Sequence, residues 1–209
     1  MEVTKGMFKC LLIPRVWLLI GIVFTAYSVY GLIGYVTTYA QHFYGLSASS
    51  AATLGGVRYL LQGLGGIIGG FLADKLHSRA KVIIYGCIGL IVSFGIYIFI
   101  PAKASLLIAV LANFFFGLFF IYVIRSQYFA VHDDAGIPLN MSGRVSGISS
   151  ALGYTPDIFM YTLVGSWMDS YGRRGYNMTW AYAIVAAILC CILTFVLTRV
   201  IKKDHAKQN

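Results

Sequence analysis

Six apolar runs, at residues 16–40, 50–73, 82–100, 105–124, 145–168 and 178–198, decide the solvent in which this chain folds. Each is close to the ~20 residues that a helix needs to cross ~30 Å of hydrocarbon. Hydrophobic residues make up 59% of the sequence and charged ones only 11%, too little polar material to clothe a water-soluble domain. The expected fold class is an all-α membrane protein: six transmembrane helices in one bundle at 16–198, with short segments at 1–15 and 199–209 on either side.

A net charge of +9 would suit a nucleic-acid partner if the basic residues formed a patch, but most of them flank the apolar runs. With the amino terminus inside, Lys5, Lys9, Arg15, Lys75, Arg79, Lys81, Arg144, Arg199, Lys202, Lys203 and Lys207 fall on the cytoplasmic side, eleven against Lys103, Arg173 and Arg174 outside. The positive-inside rule then puts both termini in the cytoplasm of a multi-pass plasma-membrane protein, with lipid and not nucleic acid as its surroundings. The first run exceeds the core of a signal peptide and no cleavage pattern follows it, so it reads as a retained helix. Cys10, Cys87, Cys190 and Cys191 have neither metal spacing nor an evident disulfide partner, and no metal or cofactor is expected.

The stretch LGGVRYLLQGLGGIIGGFLADKLHSRAK, residues 54–81, sets one arginine inside a glycine-rich run and five ionisable groups just beyond its end. Gly70, Asp74 and Arg79 there match Gly165, Asp169 and Arg174 at the end of the fifth run: Gly, three residues, Asp, four residues, Arg. Three helices separate the two series, an odd number, so they lie on opposite sides of the membrane, as in inverted three-helix repeats. Coincidence over three positions is the competing explanation.

The segment GGFLADKLHSRAK resembles the loop motif of the major facilitator superfamily: Gly, three residues, Asp, a basic residue, one residue, Gly, then two basic residues. Gly70, Asp74, Lys75 and Arg79 fit, while His77 stands in place of the internal Gly and Ser78 in place of the first terminal basic residue. PRVWLLIGIVFTAYSVYGLIGY resembles the family's seventh helix and SGISSALGYTPDIF its eleventh. The whole chain thus resembles the carboxy-terminal six-helix half of such a transporter. The resemblance implies half of a major facilitator fold built from two inverted three-helix repeats, a solute held near the bilayer midplane, and a second six-helix half from another chain or a second copy. It also implies a gating role for Gly70, Asp74, Lys75 and Arg79. Asp74 would stabilise the positive amino terminus of the fifth helix, around Ser142, Gly143 and Arg144 with Ser142 as cap, in a contact that breaks and reforms as the halves rock. Anchoring at lipid head groups is the plainer alternative for Lys75, Arg79 and Lys81.

Arg58 shares a helical face with Gly55, Gln62, Gly65, Gly66 and Gly69 at steps of three and four. The glycines suit close helix packing, but an arginine roughly 12 Å below the outer end of its helix needs an anion. Two readings stand side by side. Asp157, at a similar depth in the fifth run, pairs with it, or an anionic solute does; Asp157 is also a candidate proton carrier. Pro156 is expected to bend that helix. Arg125 lies late in the fourth run, where it can snorkel to the cytoplasmic face. Asn113 either lines the cavity or bonds a neighbouring helix, and Tyr27, Tyr35 and Tyr39 are weaker candidates for a solute path.

The function that fits is a half-size or split secondary transporter moving a small polar solute, anionic if Arg58 reads it, by alternating access. A truncated transporter without activity of its own is the alternative. A membrane enzyme fits less well: His42, His77, His132 and His205 all fall outside the apolar runs, so none readily serves a serine in GISSALG as base.

Overall fold

A computed structural model describes residues 9–208, which are helical throughout apart from short connections; among them there is no strand. Lys5 lies outside the described residues, as does the side chain of Lys207. The helices are α1 (Pro14–Leu32), α2 (Tyr35–Tyr44), α3 (Ala48–Leu76), α4 (Arg79–Phe99), α5 (Leu107–Gln127), the single turn α6 (Val131–Asp134), α7 (Leu139–Gly153), α8 (Pro156–Tyr171) and α9 (Arg173–Gln208).

Local chemistry sets most boundaries. Pro14 and Pro156 open α1 and α8, where a missing N–H costs nothing. Ser47 caps α3 by accepting from the Ser50 N–H at 3.1 Å, and Ser78 caps α4 by accepting from the Lys81 N–H at 3.3 Å. Gly45, at φ 75°, closes α2 in the left-handed conformation. His77 does the same for α3 at φ 49°, a conformation that costs a residue with a Cβ about 1 kcal/mol. His77→Gly is therefore expected to stabilise the protein by about 1 kcal/mol, read as a higher melting temperature in detergent; an unchanged or lower value would mean that the imidazole itself contributes there.

α1, α4, α5 and α9 form the core, with α4 packed most extensively on α9, while α3 lies chiefly on α5, and α7 and α8 lie on α1 and α9. Trp180 of α9, Tyr97 and Phe94 of α4 and Tyr39 of α2 interlock where α4 ends and α9 begins, with ring centroids 5.3–6.3 Å apart. Gly65 and Gly69 of α3 lie where a Cβ would run into Tyr122 and Ser126 of α5, whereas Gly63, Gly66 and Gly70 face open space. Gly65 and Gly69 therefore bring α3 close to α5, while Gly66 and Gly70, also four apart, do not.

Four segments are long and apolar enough to cross a membrane: Pro14–Tyr44, Arg79–Phe99, Ala104–Gln127 and Arg173–Asp204. The runs at 50–73 and 145–168, expected to be the other two spans, fall short of that measure. α3 has ample length, but its glycines, Arg58 and Gln62 dilute its hydropathy. The fifth run is divided at Tyr154 and Thr155 into α7 and α8, each too short alone. Large apolar side chains are uncovered on these elements as they are on the four spans, with Ile67 on α3 at 73%, Ile158 on α8 at 80% and Phe99 on α4 at 85% exposure.

Candidate functional site

The helices are interrupted twice, at levels offset along the bundle: Gly153 packs on Val23, whereas Gly31 packs on Met160 and Tyr161. The first separates α1 from α2 at Ile33 and Gly34, and the second separates α7 from α8 at Tyr154 and Thr155. Gly34 makes room for Arg58: a Cβ there would lie 2.9 Å from a terminal guanidinium nitrogen. The Arg58 guanidinium carbon stands 5.6 Å from the Tyr30 ring and 5.4 Å from that of Tyr59. Arg125, reaching over from α5, brings its guanidinium carbon to 3.9 Å from the same Tyr30 ring. Cation–π contact of this kind offsets part of the cost of holding a guanidinium away from water. It leaves Nε of Arg58 and Nη1 of Arg125 buried with no hydrogen-bond partner. Among the described residues, carboxylates lie within ion-pair distance of Arg15 and Arg79 but not of these two arginines.

Asp157, in the first turn of α8, accepts a hydrogen bond from the Tyr27 hydroxyl at 2.7 Å. The first N–H groups of α8 are already taken, that of Asp157 donating to the Tyr154 carbonyl at 3.1 Å and that of Ile158 to the Thr155 carbonyl at 3.0 Å, so the Tyr27 hydroxyl is the partner of this carboxylate. The Arg58–Asp157 ion pair, one of two readings of the sequence, is not formed. Tyr27 packs on Tyr154 at 4.2 Å between centroids, and Tyr35 faces Tyr161 at 6.4 Å. The hydroxyls of Tyr128 and Tyr154 are 3.2 Å apart. Below Arg58 a cavity of about 210 Å³ is lined by Gln62, Gly66, Tyr122, Arg125 and Ser126.

Arg58 and Arg125 thus meet on Tyr30, Tyr30 neighbours Tyr27, and Tyr27 holds Asp157; Gln62 and Arg125 line the cavity, and Tyr35 lies against Tyr161. Arg125 does not snorkel toward the nearest end of the bundle; its side chain turns inward because the Tyr30 face is within reach. Asn113 stands apart: 7% exposed, it donates to the Ser93 carbonyl at 2.9 Å and joins α5 to α4. Tyr39 is wholly buried in the aromatic core, bonded to Tyr44 at 3.2 Å. Sequence reasoning missed Tyr30, Tyr122, Tyr154 and Tyr161. The available signal was spacing: Tyr27 and Tyr30 are three apart on α1, and Tyr154 and Tyr161 are seven apart around Pro156.

At the end of the bundle where α1 begins and α9 finishes, Arg79 donates to the Asp134 carboxylate at 2.8 Å and to the Ala130 carbonyl at 3.0 Å, with Asp133 at 3.6 Å. Arg15 donates to the Ala135 carbonyl at 3.0 Å and pairs with Asp204 near the end of α9. The turn α6 is held from both sides. Asp74 does not reach Ser142, Gly143 or Arg144. α7 begins one turn earlier than expected, behind Pro138, so Ser142 lies inside the helix and caps nothing. Asp74 is exposed and borders a cleft of about 490 Å³ that it shares with His77, Asp134 and Lys202, while Lys75 points outward beside it.

His132 on α6 is 2% exposed, with Nδ1 3.4 Å from the Ser146 hydroxyl and Nε2 buried without a partner. Burial pushes its pKa down to about 4 against a weaker opposing pull from Asp133. The fold therefore favours the neutral ring. That contribution is complete above the unfolded value of about 6.5 and is lost as pH falls toward 4, on the order of 3 kcal/mol in all. Melting temperatures are expected to drop between pH 7 and pH 4, and His132→Asn is expected to flatten part of that slope. Parallel profiles would show that His132 does not carry it.

The family profile of the Major Facilitator Superfamily matches residues 2–155. Two curated proteins of Escherichia coli strain K12 are similar: inner membrane protein YqcE, 28% identical over 197 residues, and inner membrane protein YihN, 28% identical over 180. The aligned regions take in 91% and 84% of this chain but 46% and 41% of those proteins, so the chain spans less than half the length of either relative. No solved structure matches. Apolar spans, a Gly–Asp–basic loop between α3 and α4, and a family match over most of its length lead to one conclusion: this chain belongs to the major facilitator superfamily, a family of membrane transporters.

Proposed function

We propose that the chain forms one half of a secondary transporter that carries a small, anionic solute by alternating access, with both termini in the cytoplasm and the solute bound at the Arg58–Tyr30–Arg125 groove. The observation that carries this reading is the pair of arginines that meet on the Tyr30 ring without carboxylate partners, Arg58 beside the interruption at Gly34, since interrupted helices near the midplane are where transporters place solutes. In this reading α3, 29 residues and roughly 43 Å long, and the bent α7–α8 unit complete six spans. Their small, polar and uncovered faces meet a second six-helix half, from another chain or a second copy. The matched series Gly70–Asp74–Arg79 and Gly165–Asp169–Arg174 then mark equivalent ends of two inverted three-helix repeats, at the α3–α4 and α8–α9 junctions. Asp74, left without an ion-pair partner, and Lys75 are free to engage the second half, while Arg79 holds the loop in place.

The test is solute counterflow in proteoliposomes made from the purified protein and, in parallel, from native membrane extracts that contain its partners. Saturable uptake of labelled small anions is expected in at least one preparation. Uptake in neither would support the alternative of a membrane-inserted product without transport activity.

A further inference from the structure

We infer that Arg58 and Arg125 act as a single site and that the solute they take is an oxyanion carrying two negative charges. This rests on the transporter reading above and narrows its substrate. Arg58 comes from α3 and Arg125 from α5, yet both guanidiniums settle on Tyr30, at 5.6 and 3.9 Å from its ring. Each keeps one buried nitrogen without a hydrogen-bond partner. The nearby carboxylate, Asp157, accepts from the Tyr27 hydroxyl and lies beyond ion-pair distance of both arginines.

Two like charges converging on one ring repel each other, so in the empty protein the arrangement is costly. A solute with one negative charge relieves one guanidinium. A sulfate, phosphate, phosphoryl or dicarboxylate group relieves both and matches the planar donor fork of arginine. The adjoining cavity of about 210 Å³ suits an oxyanion with a short organic part.

The chain, reconstituted in lipid nanodiscs, is titrated with sulfate and succinate as dianions and with nitrate and acetate as monoanions, following melting temperature. The general salting effect of sulfate is common to all variants and cancels in the comparison. The parent is expected to bind the dianions at least tenfold more tightly than the monoanions. Arg58→Gln and Arg125→Gln are each expected to abolish that preference, leaving monoanion binding within about threefold, and both variants without added anion should melt no lower than the parent. Equal affinity for the two classes, or a preference that survives either substitution, would overturn the assignment while leaving a transporter of some other solute. Binding of no dianion would overturn it too, with counterflow deciding the transporter reading separately. Variants that melt well below the parent would show the arginines to be structural, which also contradicts it.

Discussion

Arg58→Gln is expected to cut solute uptake roughly tenfold to a hundredfold while the protein inserts and folds as before. The size follows from losing a charged hydrogen-bond donor to an anion in a site shielded from water, about 1.5–3 kcal/mol. The sparing of the fold follows from the environment of Arg58. Its guanidinium has no ion pair among the described residues, and its Nε is already unsatisfied, so glutamine leaves no opposite charge stranded. Uptake measured on equal amounts of folded protein checks both parts together. Preserved uptake would remove Arg58 from the solute site.

Gly65→Leu is expected to prevent a folded bundle from accumulating. A Cβ at that position runs into the Cβ of Tyr122, and its next contacts are the backbone of the same residue. No flexible side-chain tip is there to yield, so α3 must lift away from α5, at a cost of about 3 kcal/mol or more. The lift would also carry Arg58 away from Tyr30, since Tyr122 packs on Tyr30 at 6.3 Å. Gly63→Ala is the control. Open space surrounds it, and alanine is the better helix former, so no loss of stability is expected. The yield of monodisperse protein in detergent distinguishes the two; equal yields would show that α3 does not depend on that close approach.

The sequence made the helices legible because apolar runs and their punctuation are local properties. Pro156 announced the bend in the fifth run, and the spacing of Gly65 and Gly69 announced a packing face. The break between α1 and α2 was not legible: Gly34 in an apolar run looks like any tolerated glycine, and only the approach of Arg58 to it gives it a purpose. Residue counts along a helix gave the depths of Arg58 and Asp157 but not their direction around it. Tyr27, one turn before the Tyr30 that Arg58 meets, takes up the carboxylate instead. The same limit applies to Arg125, whose position in the chain is equally compatible with reaching outward to a head group or inward to Tyr30. The loop motif located Arg79 and its neighbours, yet the partners of Arg79 lie on α6, a turn too short to leave a periodic signature. The expected fit of Asp74 to the next helix failed for a related reason: Pro138 starts α7 earlier than the position of Ser142 suggested.

The central proposal is that this chain supplies one wall of a two-half transporter, and the most direct measurement is the native mass of the protein extracted gently from membranes, corrected for bound lipid and detergent. A particle holding a second six-helix unit is expected, either near twice the 23.0 kDa of the chain or as a complex with another membrane protein of similar size. A stable 23.0 kDa monomer that carries out counterflow alone would contradict it, because one half would then suffice for transport.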